Sequence, residues 1–546
     1  MQRISLILLG LILIGGFLRI FMLGSFPHGV TGDEIQQGYT AYSILNTGKD
    51  EWGDFLPLNP RGFGDYKPPL YSYLTIPFVA VFGLSVFATR ILSALSGTLM
   101  VLVIYFLAKE FFDRKVGLIA AAMFAIQPWQ IFVSRIGWES NLGMLLFSLG
   151  ALLFIKSFKK NYLLFFSILS LGLSTLSYHS YKLLTLLFLV SVIFIYRKAL
   201  LKFNRAVVIL GSLVLIVFLV VNAYGYIFSG AGKRANDTAI YSEDNISKLR
   251  VMQFEDLLPE PFRRIVNNKY QYIAGEFIQN YVGYYSLNFI FTSIRSDYSV
   301  LNMSGKGILF IWELPLVLLG VFLLIKEKPK WLKVILLWLI LAPIPAALTK
   351  DYMHAGRAEV LLPILVVISA FGLYNLYTNF IPAKYKKVSM LVFSLILIWS
   401  FIGRVDFYLF HAFSQNQGGI KYGYKEAIDF TLKNNDKYEK IIFTKVNSQP
   451  QIFVAFFSKI NPKDYQQYSK DWKHFEKDGF KYLDMINYKL GKYEFREINW
   501  NSDQLLDNAL VVGTQSQLSD KLTPVFEIKD NKGDKTFIGV ETKRYK

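Results

Sequence analysis

The sequence predicts an α-helical multi-pass membrane protein with about eleven spans and a small extracytoplasmic α/β domain at its C-terminus. Of its 546 residues, 53% are apolar and only 18% are charged, which is too apolar a balance for a soluble protein of this size. Apolar runs of about 18–22 residues, long enough to cross the hydrocarbon core of a bilayer, recur up to about residue 410. Beyond that point helix-like and strand-like segments alternate instead.

The spans are predicted in chain order from these runs. The first, 4–24, has no small-residue cleavage site after it, which favours a retained anchor over a signal peptide. The segment 70–84 is shorter and contains Pro77, so we expect it at the outer interface or as a re-entrant piece. The other ten spans are expected near 88–108, 116–133, 141–158, 161–177, 182–197, 206–225, 308–325, 332–349, 358–378 and 388–408.

Basic residues in the short connections set the predicted orientation. One side of the membrane receives eighteen Lys and Arg residues in these connections, and the other side receives four. Because basic loops stay in the cytoplasm, the N-terminus is predicted to be cytoplasmic and the protein to lie in the plasma membrane. Three long segments then fall outside: 25–87, about 226–306, and the tail from residue 411.

The chain is accordingly divided into a membrane domain, 1–410, and an extracytoplasmic soluble domain, 411–546. Within the tail, "YKEAIDFTLKN" has the spacing of a helix, whereas "KIIFTK", "ALVVG", "VFEIKD" and "TFIGVETK" are typical of strands. This alternation predicts a small α/β fold.

Several function classes are disfavoured. The net charge of +19 is spread in short basic runs between apolar segments, which argues against a nucleic-acid partner. The absence of Cys excludes disulfides and thiolate chemistry, and the absence of an HExxH pattern gives no indication of a firmly bound metal. There is also no P-loop, GxSxG or Rossmann glycine motif, so a nucleotide-using catalytic domain is not indicated.

The charged residues of the membrane part lie towards the predicted outer ends of the spans. A coupled transporter would carry ionisable groups near the bilayer midplane, where this sequence has almost none. The distribution therefore favours polar chemistry on one face of the membrane. The outer charges are Arg90, Arg135, Glu139, Glu313, Arg357, Glu359, Arg404 and Asp406.

The motif "PHGVTGDEIQQGYTAY", residues 27–42, places Asp33 and Glu34 next to the first span. One interpretation is that Asp33 caps the helix that follows. The other is that a carboxylate here accepts a proton from a hydroxyl group.

The motif "GDYKPPLYSYL", residues 64–74, contains two prolines that stiffen the chain and hold Asp65 and Lys67 in a defined direction. Lys67 either pairs with lipid phosphates in general or binds one particular phosphate.

Three further motifs lie at other outer connections. In "SRIGWESNLG", Arg135 and Glu139 could form an i,i+4 ion pair or line a site. His179 in "SYHSYK", and His354 with Arg357 in "TKDYMHAGRAEVLLP", are either interfacial anchors or site residues. Because such groups recur at every outer connection, an outward-facing site that handles a phosphate and hydroxyl groups is the simplest explanation.

The motifs resemble those of polyprenyl-phosphate-dependent glycosyltransferases of the GT-C fold, family 39, which includes protein O-mannosyltransferases and the lipid A aminoarabinose transferase. The similarity lies in the "DE" pair at residues 33–34, "KPPL" at 67–70, Arg135 with Glu139, and the stretch "PIPAALTKDYMHAGR" at 343–357. It covers about residues 1–410. The oligosaccharyltransferase signature WWDYG is absent, which argues against N-glycosylation.

The resemblance implies that Asp33 is the general base and that the sugar is transferred with inversion from a polyprenyl-phosphate donor to an acceptor hydroxyl. Lys67 and Arg135 would bind the donor phosphate, with Asp65 beside Lys67. The same resemblance implies that Glu34 and Glu139 position sugar or acceptor. His354 and Arg357 would line the same pocket. Asp65 and His179 are further candidates for binding substrate, taken from their motifs and not from the resemblance.

No resident cofactor is indicated. The aminoarabinose transferase has a Glu before the motif lysine where this chain has Tyr66, so a divalent metal is not supported. The acceptor could be a protein, a lipid or a glycan. Segment 226–306 could serve as a lid or an acceptor platform.

Two alternatives remain open at this stage. A lipid-linked glycan ligase or polymerase on a related scaffold would move a whole oligosaccharide. A transporter or flippase would move its substrate without forming a covalent product.

Overall fold

A computed structural model describes residues 2–228, 231–255, 257–294, 306–411, 420–472, 475, 480, 482–519, 522–530 and 532–542. The chain is mostly helical and divides into two compact units. The first unit comprises Met1–Phe21, Ser93–Ser134 and Trp138–Phe407, and the second comprises Met22–Leu92, Arg135–Gly137 and Tyr408–Lys546.

Six helices of the described chain are long and apolar enough to cross a membrane: Val86–Phe111, Glu139–Ser157, His179–Leu200, Arg205–Phe228, Leu361–Phe380 and Ala383–Asp406. Shorter apolar helices occupy Ile4–Ile20, Leu70–Phe82, Leu163–Thr175 and Leu332–Ala347. The total of eleven spans and their orientation remain predictions.

The remaining helices of the first unit are shorter. They include Ala231–Thr238, Glu243–Glu255, Glu260–Val266, Lys269–Gly283 and Leu314–Glu327. Most of these occupy the segment predicted as the long connection 226–306, of which residues 229–230, 256 and 295–305 lie outside the described residues.

The predicted span 116–133 is not one straight helix. One helix ends at Ala125, a second begins at Pro128, and the two are bent by 60°. Pro128 has no N–H to continue the first helix, so it begins a new one. The fully buried Arg19 donates to two carbonyls at this bend, Ala125 O at 2.9 Å and Phe124 O at 3.1 Å.

The sequence suggested that Pro77 breaks the segment 70–84, but the helix continues through this residue. Leu70–Phe82 runs through it for 13 residues, beginning directly after Pro69. The two prolines before Leu70 end the preceding loop, as the sequence indicated.

The second unit contains a six-stranded mixed sheet. Its strands are β1 Lys440–Phe443, β2 Tyr488–Leu490, β3 Tyr493–Phe495, β4 Ala509–Gly513, β5 Phe526–Lys529 and β6 Lys535–Glu541. Their order is β2-β3-β1-β4-β6-β5, with β1 parallel to β3 and β4 and the other pairs antiparallel. The helices Tyr424–Lys433, Pro450–Phe457 and Pro462–Trp472 accompany the sheet.

One hydrophobic core joins the early and late segments of this unit. Ile35 and Tyr39 from the early segment share a buried cluster with Phe453, Phe456 and Tyr465 from the late one. Residues 22–92 thus fold with the C-terminal residues. The assignment of residues 411–546 to a separate soluble domain stays a prediction.

The small C-terminal sheet is confirmed, and four of its strands coincide with the four predicted segments. The strands β2 and β3 were not predicted. Each has only three residues, which is too short for an alternating pattern to be recognised.

Candidate active site

The helix Gly32–Thr47, called the Asp33 helix below, begins with a capping box. Glu34 N donates to Thr31 Oγ1 at 3.1 Å, and Thr31 N donates to Glu34 Oε2 at 3.2 Å. The interpretation of Asp33 as the N-cap is therefore wrong, because Thr31 caps the helix and Asp33 lies in its first turn. The Asp33 side chain is directed to a different partner.

That partner is Lys67, the lysine of the "KPPL" motif. Its ammonium donates to Asp33 Oδ1 at 2.5 Å and lies 3.8 Å from Asp65 Oδ2. The side chain of Lys67 is only 5% exposed, whereas that of Asp33 is 35% exposed. Lys67 N donates to Pro60 O at 2.9 Å, which fixes the turn that carries it. In this ion pair the carboxylate of Asp33 is accessible to solvent, and the ammonium of Lys67 is buried.

Glu34 has a different environment from its neighbour. It is fully buried, and its Oε1 accepts from Arg90 Nε at 2.5 Å and from Gly137 N at 3.3 Å. A buried carboxylate held this way fixes the start of the Asp33 helix. The role that the resemblance implies for Glu34, positioning the sugar or the acceptor, stays a prediction.

Arg90 was not predicted as a site residue. It is 1% exposed, and besides Glu34 it donates to the carbonyls of Leu23, Pro27 and Gly29 at 2.7–3.2 Å. The signal in the sequence is a single arginine in the first turns of an otherwise apolar helix, "VFATRIL". Such a residue requires a buried partner.

Arg135 lies in the turn between the helices Pro128–Ser134 and Glu139–Ser157. Its Nη2 donates to Phe26 O at 3.2 Å. Burial, with the nearby charge of Arg90, lowers the pKa of Arg135 to about 10, so the guanidinium is still protonated at neutral pH. Arg135 and Glu139 do not share a helix, because Glu139 begins the next one, and their ion pair stays a prediction.

The other predicted residues belong to the first unit. A cavity of about 360 Å³ is lined by His179, Lys182 and Arg357, together with Tyr178, Tyr226 and Tyr241 among others. Arg357 Nη1 also lies 2.7 Å from Asp351 Oδ2. Two of the predicted residues therefore share a cavity, and Lys182 is an addition that the sequence did not single out.

His354 and Glu139 are buried and do not line this cavity. The backbone N–H of His354 donates to Tyr284 Oη at 3.0 Å, and Glu139 O accepts from Ser177 Oγ at 2.7 Å. Within the described part of the chain, no three His, Asp or Glu side chains lie close enough together to hold a metal ion.

Comparison with known proteins gives one family match. Residues 66–224 match the family described as dolichyl-phosphate-mannose-protein mannosyltransferase. The matched range includes Lys67, Arg90 and Arg135. No curated protein sequence matches the chain.

Several solved structures share the fold. ArnT from Cupriavidus metallidurans bound to undecaprenyl phosphate aligns with a TM-score of 0.53 at 11% identity, covering 98% of this chain and 97% of ArnT. The oligosaccharyltransferase AglB from Archaeoglobus fulgidus, in complex with an inhibitory peptide and a dolichol-phosphate, aligns with a TM-score of 0.50 at 16% identity. That alignment covers 83% of this chain, which spans 64% of the length of AglB.

A further match is an Archaeoglobus fulgidus oligosaccharyltransferase tethered through a disulfide bond to an acceptor peptide that contains the NVT sequon. This structure aligns with a TM-score of 0.53 at 14% identity, covering 98% of this chain and 74% of the archaeal one. The family match and the shared architecture confirm the predicted resemblance to family 39 glycosyltransferases, and the chain is a membrane protein with the GT-C glycosyltransferase fold.

Proposed function

We propose that this protein is an inverting glycosyltransferase that moves a sugar from a polyprenyl-phosphate donor to an acceptor hydroxyl on the outer face of the membrane. The Asp33–Lys67 pair carries the proposal. The carboxylate of Asp33 is 35% exposed and the ammonium of Lys67 is buried. The resemblance assigns the first residue to the general base and the second to binding of the donor phosphate. The undecaprenyl phosphate of ArnT and the dolichol-phosphate of AglB support a donor of this chemical class.

In this proposal Asp33 is the general base. Its carboxylate accepts the proton of the acceptor hydroxyl while that oxygen forms a bond to the anomeric carbon of the sugar. The bond from the anomeric carbon to the phosphate oxygen breaks, and polyprenyl phosphate leaves with the electron pair. In the resting protein the Lys67 ammonium contacts the Asp33 carboxylate and fixes its position.

Lys67 and Arg135 then stabilise the departing phosphate. Both are buried cations on well-fixed backbone, so little reorganisation is required as negative charge develops on the leaving group. Asp65, 3.8 Å from Lys67, helps to direct the ammonium.

The cavity of the first unit is proposed as a substrate-binding site in its own right. His179, Lys182 and Arg357 supply up to three cationic groups to its lining, and tyrosines supply hydroxyl donors. Arg357 is oriented by Asp351 and can bind phosphate oxygens in a bidentate manner. His354 and Glu139 are proposed to support this lining, since both are buried.

The proposal is tested with purified protein and a panel of polyprenyl-phosphate sugars, using mass spectrometry to detect glycosylated acceptors. We expect Asp33→Asn to bind donor normally and to lose transfer by a factor of at least about 100, the usual contribution of a general base. Asp436→Asn, which removes an exposed carboxylate elsewhere in the same unit, is the matched control. Full transfer by Asp33→Asn would refute the assignment.

The fold shared with AglB supports a second candidate function, that of a lipid-linked glycan ligase. Such an enzyme would accept a donor that carries an oligosaccharide on a diphosphate and reject a monosaccharide phosphate. Testing both donors on the same preparation separates the two functions.

A further inference from the structure

A second cavity, called the His28 pocket below, lies in the second unit and is not used by the mechanism above. Its volume is about 230 Å³, enough for one small polar group. One wall is the loop that leads into the Asp33 helix, and the other is the chain around residues 421–426. The lining residues are Gly24, Ser25, Pro27, His28, Gly29, Val30, Val86, Lys421, Tyr422, Gly423, Lys425, Glu426 and Phe457.

The two walls of the His28 pocket are joined by backbone. Lys421 N donates to Val30 O at 2.8 Å, and the two residues form an antiparallel bridge. Val30 precedes Asp33 by three residues, so their Cα atoms are at most about 11 Å apart. The His28 pocket therefore adjoins the loop that leads into the Asp33 helix.

The loop wall is also fixed by the two buried arginines. Arg90 donates to Pro27 O and Gly29 O, and Arg135 donates to Phe26 O. Arg90 also holds Glu34, the neighbour of Asp33. One guanidinium thus holds both the pocket wall and the first turn of the Asp33 helix.

The His28 pocket offers two lysines to an anion, Lys421 and Lys425. Glu426 is the carboxylate among its lining residues, and Lys425 Nζ also donates to Asp429 Oδ2 at 2.7 Å, so a bound anion would share Lys425 with Asp429. Burial lowers the pKa of Lys421, with the charge of Asp484 opposing this, so an additional anion beside Lys421 would be favoured. Tyr422 and Phe457 supply aromatic surface, and the ring of His28 lies 4.4 Å from that of Phe26.

We propose that the His28 pocket is an acceptor subsite and that it selects an alcohol bearing an anionic group, which Lys421 and Lys425 bind while the hydroxyl reaches Asp33. This deepens the proposed function and rests on it for the transfer step. Binding of an anion in the His28 pocket can be measured separately from sugar transfer, because binding does not require catalysis.

The first experiment measures binding of sn-glycerol 3-phosphate and of glycerol to the full-length Asp33→Asn protein. We expect the phosphate compound to bind at least about tenfold more tightly, and the double variant Lys421→Gln/Lys425→Gln to remove that preference. Lys470→Gln, an exposed lysine on another helix of the same unit, is the control. Equal binding of both compounds, or an unchanged preference in the double variant, would overturn the proposal.

The second experiment measures transfer by the protein with Asp33 intact. We expect the double variant to raise KM at least about tenfold for an anionic acceptor and to leave kcat, and KM for a neutral acceptor, within twofold. Vesicles of phosphatidylglycerol and of phosphatidylcholine show whether the anionic alcohol comes from a lipid headgroup or from free solute. If glycerol 3-phosphate binds with the expected dependence on Lys421 and Lys425 but no sugar is transferred to any acceptor, the proposed function fails and the anion site stands.

Discussion

At the scale of single residues, Asp33 and Glu34 show what a motif can and cannot predict. The sequence identified the pair and its position, but adjacent residues of a helix point about 100° apart. Only the fold therefore determines that Asp33 meets Lys67 at a partly exposed site while Glu34 meets Arg90 in the interior. Arg90 could not be assigned from the sequence, because its partners lie 56–67 residues away.

The two carboxylates should respond differently to the same substitution. Glu34→Gln leaves the buried guanidinium of Arg90 without its counter-charge, which typically costs about 3–5 kcal/mol. We expect a clearly lower midpoint of thermal unfolding in detergent for Glu34→Gln and a smaller decrease for Asp33→Asn, because Asp33 is partly exposed and Asp65 still lies 3.8 Å from the Lys67 ammonium. Similar midpoints for the two variants would contradict the distinction between a structural and a reactive carboxylate.

Glu51 should make the stability of the protein pH-dependent. It is fully buried and accepts from Gln36 Nε2 at 3.1 Å and Thr40 Oγ1 at 2.8 Å. Burial, together with Asp50, raises the pKa of Glu51 from 4.5 to about 8. Between these values the native state holds a proton that the unfolded state lacks, so stability should fall as the pH rises through this window.

The slope contributed by Glu51 should approach about 1.4 kcal/mol per pH unit and vanish above pH 8. Thermal unfolding in detergent between pH 5 and pH 9 measures it. Glu51→Gln should flatten the profile, whereas Glu255→Gln, at an exposed position, should not. If Glu51→Gln instead changed the unfolding midpoint equally at every pH, the pH dependence of stability would come from other groups.

At the scale of elements, the Asp33 helix is fixed by residues far along the chain. Tyr39 Oη donates to Ile460 O at 2.9 Å, and Gln466 Nε2 donates to Ser43 Oγ at 3.1 Å and Thr47 Oγ1 at 2.9 Å. The sequence predicted helices and strands from local patterns, and most of them are present. Contacts between residues more than 400 positions apart leave no local pattern in the sequence, so this packing could not be predicted. The bend at Pro128 was not predicted either.

The Asp33 helix leaves no room for a side chain at Gly38. A Cβ atom there would lie 2.4 Å from Thr89 Oγ1 and 2.9 Å from the ring of Phe456. Gly38→Ala should therefore shift the Asp33 helix, cost about 1–3 kcal/mol of stability and reduce transfer. Adding Thr89→Ala removes the nearer clash, so the double variant should recover part of both losses. Additive losses in the double variant would show that the Thr89 contact is not the cause.

At the scale of the whole molecule, the sequence suggests a boundary near residue 410, but the hydrophobic core of the second unit crosses it. Val30, Ile35, Tyr39 and Trp52 from the early segment are buried with aromatic residues of the C-terminal segment. A chain that ends at residue 411 would expose this apolar surface, at a cost of about 1.5–3 kcal/mol for each large side chain.

We expect the truncated chain 1–411 to aggregate in detergent and to lack transfer activity. Co-expression of residues 412–546 as a separate chain should restore both, because the missing contacts are noncovalent and the core can form from two pieces. Size-exclusion chromatography and the transfer assay measure the two outcomes. A monodisperse, active chain 1–411 would instead support the division at residue 410, with the C-terminal segment folding independently of the segment that carries the base.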